Sequence, residues 1–208
     1  GKCNVAIGTT SMDALTTGFE NVALGTNALG ASTIGCYNIA IGNVAMGTGI
    51  ACNSDNIAIG REALTALTTG CFNIVLGKVA ADALTTGCDN IAMGVNALGV
   101  ATTGVKNIAI GELAMGTGLT ILGGGACGCD NVAIGTSALS TITQGTNNVA
   151  IGNATADVVT TGYNNVAIGM NAYGTAAAGA CNIAIGDTAM GGADVSGLAN
   201  IAVGALSA

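Results

Sequence analysis

Hydrophobic and polar residues alternate within one short phrase that recurs along the whole chain. Each copy reads Asn, Val or Ile, usually Ala, an aliphatic residue and Gly. Consecutive copies begin 17 or 18 residues apart, except for one interval of 24 residues. A fixed period of this length is typical of stacked-repeat proteins. The twelve copies begin at Asn4, Asn21, Asn38, Asn56, Asn73, Asn90, Asn107, Asn131, Asn148, Asn165, Asn182 and Asn200.

The alternation within the phrase predicts a β-strand. We number each repeat from its Asn as position 1 and count backwards from position −1 for the residues before it. Val or Ile occupies position 2 and an aliphatic residue position 4 in every copy, a period of two rich in β-branched residues. We expect positions 2 and 4 to fill the interior together with the Leu or Met common at position 9. Positions 1, 3 and 5 would then form a flat outward face of Asn, Ala and Gly, and positions 7–9 a second extended piece.

A strand, a corner at the position-5 Gly, a shorter extended piece and a Thr-rich corner complete one coil of about 17 residues. Coils stacked through parallel ladders about 4.8 Å apart predict an all-β parallel β-solenoid, or β-roll, of about twelve coils. Residues 1–208 would be a single domain, because no break in the pattern occurs. Resemblances between every fourth coil divide it into three super-repeats, approximately 4–72, 73–147 and 148–208.

Two further features concern the corners and the column of asparagines. Gly lies three residues before the Asn in eleven copies and is replaced once, by Asn53. Asn tolerates left-handed backbone best among the non-Gly residues, so we expect positive φ at this position −3. The twelve stacked asparagines are expected to hydrogen-bond to one another along the rod, as amide ladders do in cross-β stacks.

Composition narrows the possible functions. The chain is 50% hydrophobic and 7% charged, with a net charge of −7 and four basic residues. Nucleic-acid binding needs clustered Lys and Arg, so we do not expect it. Gly or polar residues interrupt every apolar run before the length of a membrane-spanning helix, so we do not expect membrane insertion. Because the chain has no His, no Ser/His/Asp or Cys/His constellation can form, and we expect neither an enzyme nor a cofactor.

Eight cysteines lie one, two or four residues before an Asn and would line one edge of the rod. So many cysteines in a chain of low charge indicate an oxidising, extracellular setting. Cys71 and Cys88 share a position in adjacent coils and are a candidate disulfide, and Cys36 with Cys52 is a second candidate. Free, partly buried thiols are the alternative. We expect no metal site, because His and paired CxxC motifs are absent.

The phrase Asn-Val-Ala-Ile-Gly at residues 148–152 and the Leu-Thr-Thr-Gly at residues 84–87 carry a family resemblance. They resemble the head repeats of trimeric autotransporter adhesins. They are closer still to the 17-residue repeats of phage tail-fibre and bacterial surface proteins that end in an intramolecular chaperone domain. The resemblance implies a left-handed parallel β-roll, usually trimeric, in an elongated fibre on a cell surface or virion.

These features together favour a structural subunit of an extracellular fibre or filament, as an appendage, fibre shaft or adhesin stalk. We expect it to associate with copies of itself through the flat Asn, Ala and Gly face and through ends that lack capping repeats. A trimeric bundle and a head-to-tail filament are both open. On this reading, Ile110→Asp or Ile151→Asp would disrupt assembly by placing an unpaired charge in the core.

Two other binding functions remain open. The alternative is an adhesin that binds a host receptor or glycan, such as the receptor-binding segment of a phage tail fibre. Such a site would use the few aromatic residues, of which Phe19, Tyr37, Phe72 and Tyr163 lie in the corner before an Asn. Thr pairs such as Thr85 and Thr86 raise ice binding as a third hypothesis.

Overall fold

The computed structural model of the chain describes residues 1–48, 53–117, 128–192 and 197–207. Twelve strands form one parallel sheet in which the spatial order is the sequence order. The strands are β1 Val5–Ile7, β2 Val22–Leu24, β3 Ile39–Ile41, β4 Ile57–Ile59, β5 Ile74–Leu76, β6 Ile91–Met93, β7 Ile108–Ile110, β8 Val132–Ile134, β9 Val149–Ile151, β10 Val166–Ile168, β11 Ile183–Ile185 and β12 Ile201–Val203. This part of the chain contains no helix and winds as a β-solenoid of about eleven turns, which confirms the predicted fold class.

Neighbouring strands pair position by position along the whole sheet. Ile91 of β6 pairs with Ile108 of β7, and Ile108 pairs in turn with Val132 of β8. This last pairing spans the interval of 24 residues, so its additional length leaves the register of the ladder unchanged. Because equivalent residues always pair, each position of the repeat forms a column along the rod. We call the nth repeat coil n, and we count the residues at negative positions with the Asn that follows them.

The two faces of the strand are reversed relative to the prediction. Ala at position 3 is buried in β2 to β12 (Val75 replaces it in β5), and Asn at position 1 is buried from coil 2 to coil 11. The aliphatic residues at positions 2 and 4 are half-buried or exposed in every strand. The opposite wall lies close, since Ser11 at position 8 donates a hydrogen bond to the carbonyl oxygen of Ala23 (3.3 Å). The interior therefore has room for Ala and Asn beside the strand, and the larger side chains point outward.

The core is a narrow column of small and medium side chains. Ala at positions 3 and 8 lines it, and aliphatic residues at positions 9 and 12 fill it. The predicted interior role of position 9 is confirmed. The large buried side chains at these two positions are Met12, Leu29, Met46, Leu64, Leu67, Leu84, Leu98, Met115, Leu139, Ile142, Val159, Tyr173 and Met190.

Positions 7–9 are turns, so the predicted second extended piece is wrong. Non-Gly residues take positive φ at positions −1, 7 and 9 in all the described coils, as in Glu62 (58°), Leu64 (53°) and Phe72 (57°). Left-handed backbone costs about 1–2 kcal/mol per non-Gly residue. Hydrogen bonds between coils offset this cost: the Leu64 amide donates to the Ala80 carbonyl (3.0 Å), and the Glu62 amide to the Asn43 carbonyl (2.9 Å).

The Gly at position −3 allows adjacent coils to approach each other closely. Neither Gly70 nor Gly87 takes positive φ, and nor does Asn53, so the prediction of a left-handed corner here was wrong. A Cβ on Gly70 would overlap the carbonyl oxygen of Gly87, which accepts a hydrogen bond from Asn73 Nδ2 (2.9 Å). Adjacent coils thus approach too closely at Gly70 for a side chain, whereas the Asn53 side chain is accommodated at the same position of coil 4. Positive φ is found instead at the position-5 Gly, with values from 124° to 148°.

Candidate functional site

The asparagine column runs through the interior of the rod and joins each coil to the next. The amide nitrogen and Nδ2 of Asn73 both donate to Asn56 Oδ1, at 3.0 Å each. Its Nδ2 also donates to the carbonyl oxygen of Gly87 (2.9 Å), which closes the corner around the side chain. The side-chain bond to the preceding Asn recurs at every step from Asn21 to Asn200. All twelve asparagines therefore belong to one ladder, buried except at its two ends, rather than to an outward face.

The exposed side of the sheet is an unbroken aliphatic face. We use this name for the residues at positions 2 and 4 of β1 to β12. Ile151, in the ninth strand, is 37% exposed, and the residues of the first and last strands are more exposed. No polar or charged residue interrupts the 24 positions, which are Val5, Val22, Ile39, Ile57, Ile74, Ile91, Ile108, Val132, Val149, Val166, Ile183 and Ile201 at position 2, and Ile7, Leu24, Ile41, Ile59, Leu76, Met93, Ile110, Ile134, Ile151, Ile168, Ile185 and Val203 at position 4.

Two exposed columns border the aliphatic face. We call the column at position −1 the −1 rim and the column at position 6 the 6 rim. The −1 rim carries most of the acidic side chains next to the face, and the 6 rim carries two of the basic ones. The charged residues are Glu20, Asp55, Asp89, Lys106 and Asp130 in the −1 rim, and Arg61, Lys78, Glu112 and Asp187 in the 6 rim.

Where both rims of one coil are charged, the two charges have opposite signs. Two coils carry a charge in both rims, and in each the signs are opposite: Asp55 with Arg61 in coil 4, and Lys106 with Glu112 in coil 7. Within the described residues the one ion pair is Arg61 with Glu62, an exposed pair at 3.3 Å. The remaining rim charges form no ion pair with another described residue.

The cysteines lie on the edge beside the −1 rim. Cys71 and Cys88 occupy equivalent places in coils 5 and 6, and their Sγ atoms are 3.0 Å apart with both residues as free thiols. The hydrogen bond to Cys88, followed by burial, raises the pKa of the Cys71 thiol to about 11. The second predicted pair is not supported: the residue stacked on Cys36 is Ser54, and Cys52 lies outside the described residues.

The rest of the described surface shows no cluster of metal-binding or acidic side chains. No group of three or more His, Cys, Asp or Glu side chains there is placed to hold a metal ion. Burial raises the pKa of the Asp82 and Asp157 carboxyls at position 10, and hydrogen bonds from nearby backbone amides partly oppose this shift. The two carboxyls lie in coils 5 and 9, too far apart in the stack to act together.

The exposed aromatic residues form one pair and two separate positions. Phe19 and Tyr37 pack edge to face, with ring centroids 5.2 Å apart and an interplanar angle of 81°. Phe72 and Tyr163 are exposed elsewhere along the same edge. Tyr173, by contrast, is buried at position 9 and accepts a hydrogen bond from Asn182 Nδ2 (2.7 Å).

Comparison with known proteins does not identify a family for the chain, so the resemblance to adhesin and tail-fibre repeats is supported in the fold alone. No family model matches the chain, and no curated protein or solved structure matches it. Across the described ranges, no helix has the length and hydrophobicity needed to cross a membrane. The solenoid of about 17-residue coils agrees with the architecture that the resemblance implies.

Proposed function

We propose that the chain is a structural subunit of an extracellular fibre or filament, in which copies pack side by side through the aliphatic face. The observation that carries this proposal is the uninterrupted run of 24 outward aliphatic residues on one parallel sheet. An exposed apolar surface of this kind is the usual mark of an association site in a folded protein. The proposed surface replaces the Asn, Ala and Gly face expected from the sequence, because that face is the interior of the rod.

The size of the aliphatic face suits a stable contact between copies. Twelve strands about 4.8 Å apart make it roughly 55 Å long, and three-residue strands make it roughly 10 Å wide. It therefore covers on the order of 550 Å² before the rims are counted. The two rims widen the contact toward the ~800 Å² that each partner contributes to a standard interface.

The rim charges favour a parallel, in-register arrangement of copies. A symmetry axis along the rod places the −1 rim of one copy beside the 6 rim of the next at the same height. Asp55 then meets Arg61, and Lys106 meets Glu112, in each contact. A fully overlapped antiparallel pair would instead bring like rims together and place Arg61 opposite Asn153. Of the basic residues in the rims, it would match only Lys106, with Asp89.

A lysine triplet on the aliphatic face tests the proposal. We expect the wild-type chain to sediment as a multimer and to appear as bundled rods in negative-stain electron microscopy. Ile134→Lys, Ile151→Lys and Ile168→Lys together would place three unpaired charges in the contact. We expect this variant to form single rods with an unchanged β-sheet circular dichroism spectrum and at least ~100-fold weaker association.

The matched control places three lysines in the same coils but away from the face, at exposed position 14: Gln144→Lys, Thr161→Lys and Ala178→Lys. The control is expected to assemble like the wild type. Assembly of the face variant at wild-type strength, or a wild-type chain that stays monomeric at tens of micromolar, would contradict the proposal.

A charge swap tests the parallel arrangement separately. Asp55→Arg alone and Arg61→Asp alone each place like charges across the contact, and we expect each to weaken association about threefold to tenfold at low salt. The double swap restores opposite charges in a parallel contact and should recover most of the loss. An antiparallel contact offers no such rescue, so a double variant at least as weak as either single variant would exclude the parallel arrangement.

Binding of a glycan or host receptor is the second candidate function. Its support is the exposed pair of Phe19 and Tyr37, because sugar-binding sites commonly stack their ligands on exposed aromatic rings. The pair lies at one end of the rod, whereas the aliphatic face extends over all twelve strands. We therefore rank side-by-side assembly first.

A further inference from the structure

One edge of the rod carries a pair of thiols that side-by-side assembly does not explain. The ladder stacks Cys36 on Ser54 and Ser54 on Cys71 at position −2, and Cys88 occupies the same position one coil further on. Among the described residues, Cys71 and Cys88 are the one place where two free cysteines stack in adjacent coils. Equivalent residues of neighbouring parallel strands lie about 4.8 Å apart, a Cα separation that a disulfide accepts.

The side chains of this pair already face each other. The two Sγ atoms are 3.0 Å apart, and Cys88 Sγ also accepts a hydrogen bond from the backbone amide of Cys71 (3.2 Å). Both residues are partly exposed, so a small oxidant can reach them. Forming a bond here needs a small movement of the side chains and no change in the register of the coils.

We propose that Cys71 and Cys88 form a redox clamp, which closes by thiol–disulfide exchange with a small oxidised disulfide such as oxidised glutathione. The thiolate of Cys88 attacks one glutathione sulfur and releases one reduced glutathione. The sulfur of Cys71 then attacks Cys88 Sγ, loses its proton to water and releases the second. Two thiols are thereby oxidised to one disulfide, and one molecule of oxidised glutathione is reduced to two of glutathione.

The surroundings of the pair assign the order of these steps. The hydrogen bond that the Cys71 thiol donates to Cys88, burial, the charge of Cys88 and the nearby carboxylates of Asp89 and Asp55 together raise the pKa of Cys71 to about 11. The thiolate is the attacking form in such exchange, so Cys71 is the poorer first nucleophile. Cys88 therefore receives glutathione first, and Cys71 resolves the mixed disulfide.

The clamp would act on the weak point of a solenoid. Each coil contacts only its neighbours, so a stacked-repeat protein opens by separation between adjacent coils. A disulfide from Cys71 to Cys88 would tie coil 5 to coil 6 and close a loop of one repeat. Oxidation would therefore raise the resistance of the rod to opening, and reduction would lower that resistance again.

Mass spectrometry of the 208-residue chain tests the clamp. The reduced protein is incubated with oxidised glutathione, alkylated, and digested without reductant. We expect an internal disulfide between Cys71 and Cys88 that retains no glutathione. Cys3 and Cys181, which are exposed and have no cysteine stacked on them in adjacent coils, serve as internal controls and should keep glutathione adducts.

Two serine variants test whether each thiol needs the other. Cys71→Ser should leave a stable glutathione adduct on Cys88, and Cys88→Ser should leave one on Cys71, because it removes the hydrogen bond that raises the pKa of Cys71. Oxidation should raise the unfolding temperature of the wild type by several degrees, reversibly with dithiothreitol, and should not raise that of Cys71→Ser. Retention of glutathione on Cys88 in the wild type, or recovery of both residues as alkylated thiols, would overturn the proposal.

Discussion

Ala150→Asp is expected to unfold the coils around β9, whereas Ile151→Asp, one residue later, is expected to leave the solenoid intact. Ala150 is completely buried against the opposite wall of the rod, and Ile151 is 37% exposed on the aliphatic face. A carboxylate at position 150 would lie in the core without a partner, at a cost of about 5 kcal/mol or more. The carboxylate at position 151 would reach water in a single rod.

Chemical denaturation and limited proteolysis of the two variants measure this difference. Ala150→Asp should lose the cooperative transition or be cleaved between coils 8 and 10, and Ile151→Asp should unfold close to the wild-type denaturant concentration. The sequence alone placed Ile110 and Ile151 in the core, so it predicted the opposite order. A stable Ala150→Asp variant beside an unfolded Ile151→Asp variant would restore that first assignment.

Asn90→Ala is expected to lower the free energy of unfolding by about 3–5 kcal/mol, because it removes four buried hydrogen bonds and leaves the Gly104 carbonyl oxygen and the Asn107 amide without a partner. Asn90 Nδ2 donates to Asn73 Oδ1 (3.0 Å) and to the carbonyl oxygen of Gly104 (2.8 Å). Its Oδ1 accepts from the backbone amide (3.0 Å) and from Nδ2 (3.3 Å) of Asn107. Water cannot replace these bonds, since the column is buried.

Urea denaturation measures the loss, with Asn153→Ala as the matched control. Asn153 is exposed in the 6 rim and has no side-chain hydrogen bond to the rest of the described chain, so we expect a change of less than about 0.5 kcal/mol. If the two variants lost the same small amount of stability, the ladder would contribute little, and packing of the alanine columns would have to hold the coils together.

The sequence predicted the repeat, the strand and the solenoid because all three depend on period alone. Period two fixes which residues share a face, but it does not fix which face is inside. We assigned Val and Ile to the core by hydrophobicity, and the structure places them outside. The buried Asn is stable only because its polar atoms form hydrogen bonds with the adjacent coils. These hydrogen bonds exist only after the coils have stacked. The near-constant Ala at position 3 was the available signal for a tightly enclosed side.

The backbone of the corners was less predictable than the strands. Bulky residues such as Leu64 and Phe72 rarely take positive φ, and nothing in their chemistry indicates it. The hydrogen bonds of the stacked coils impose this conformation on whatever side chain is present. The substitution of Gly by Asn53 suggested a left-handed corner, but neither Asn53 nor Gly70 takes positive φ, and the constraint at Gly70 is the space between adjacent coils.

Two cysteines stack in adjacent coils when they lie the same number of residues before the next Asn, and only one of the two predicted pairs meets this condition. Cys71 and Cys88 each lie two residues before an Asn, and the structure stacks their thiols. Cys36 also lies two residues before its Asn, but Cys52 lies four residues before the next one. The residue in register with Cys36 is therefore Ser54, which the same count would have identified.

Cryo-electron microscopy of the assembled wild-type protein tests the side-by-side arrangement most directly. We predict rods with strands stacked about 4.8 Å apart along the axis, in which the Val and Ile side chains of neighbouring copies meet and the asparagine column lies inside each copy. Copies that touched through the threonine corners, or an aliphatic face left open to solvent in the assembly, would contradict this arrangement.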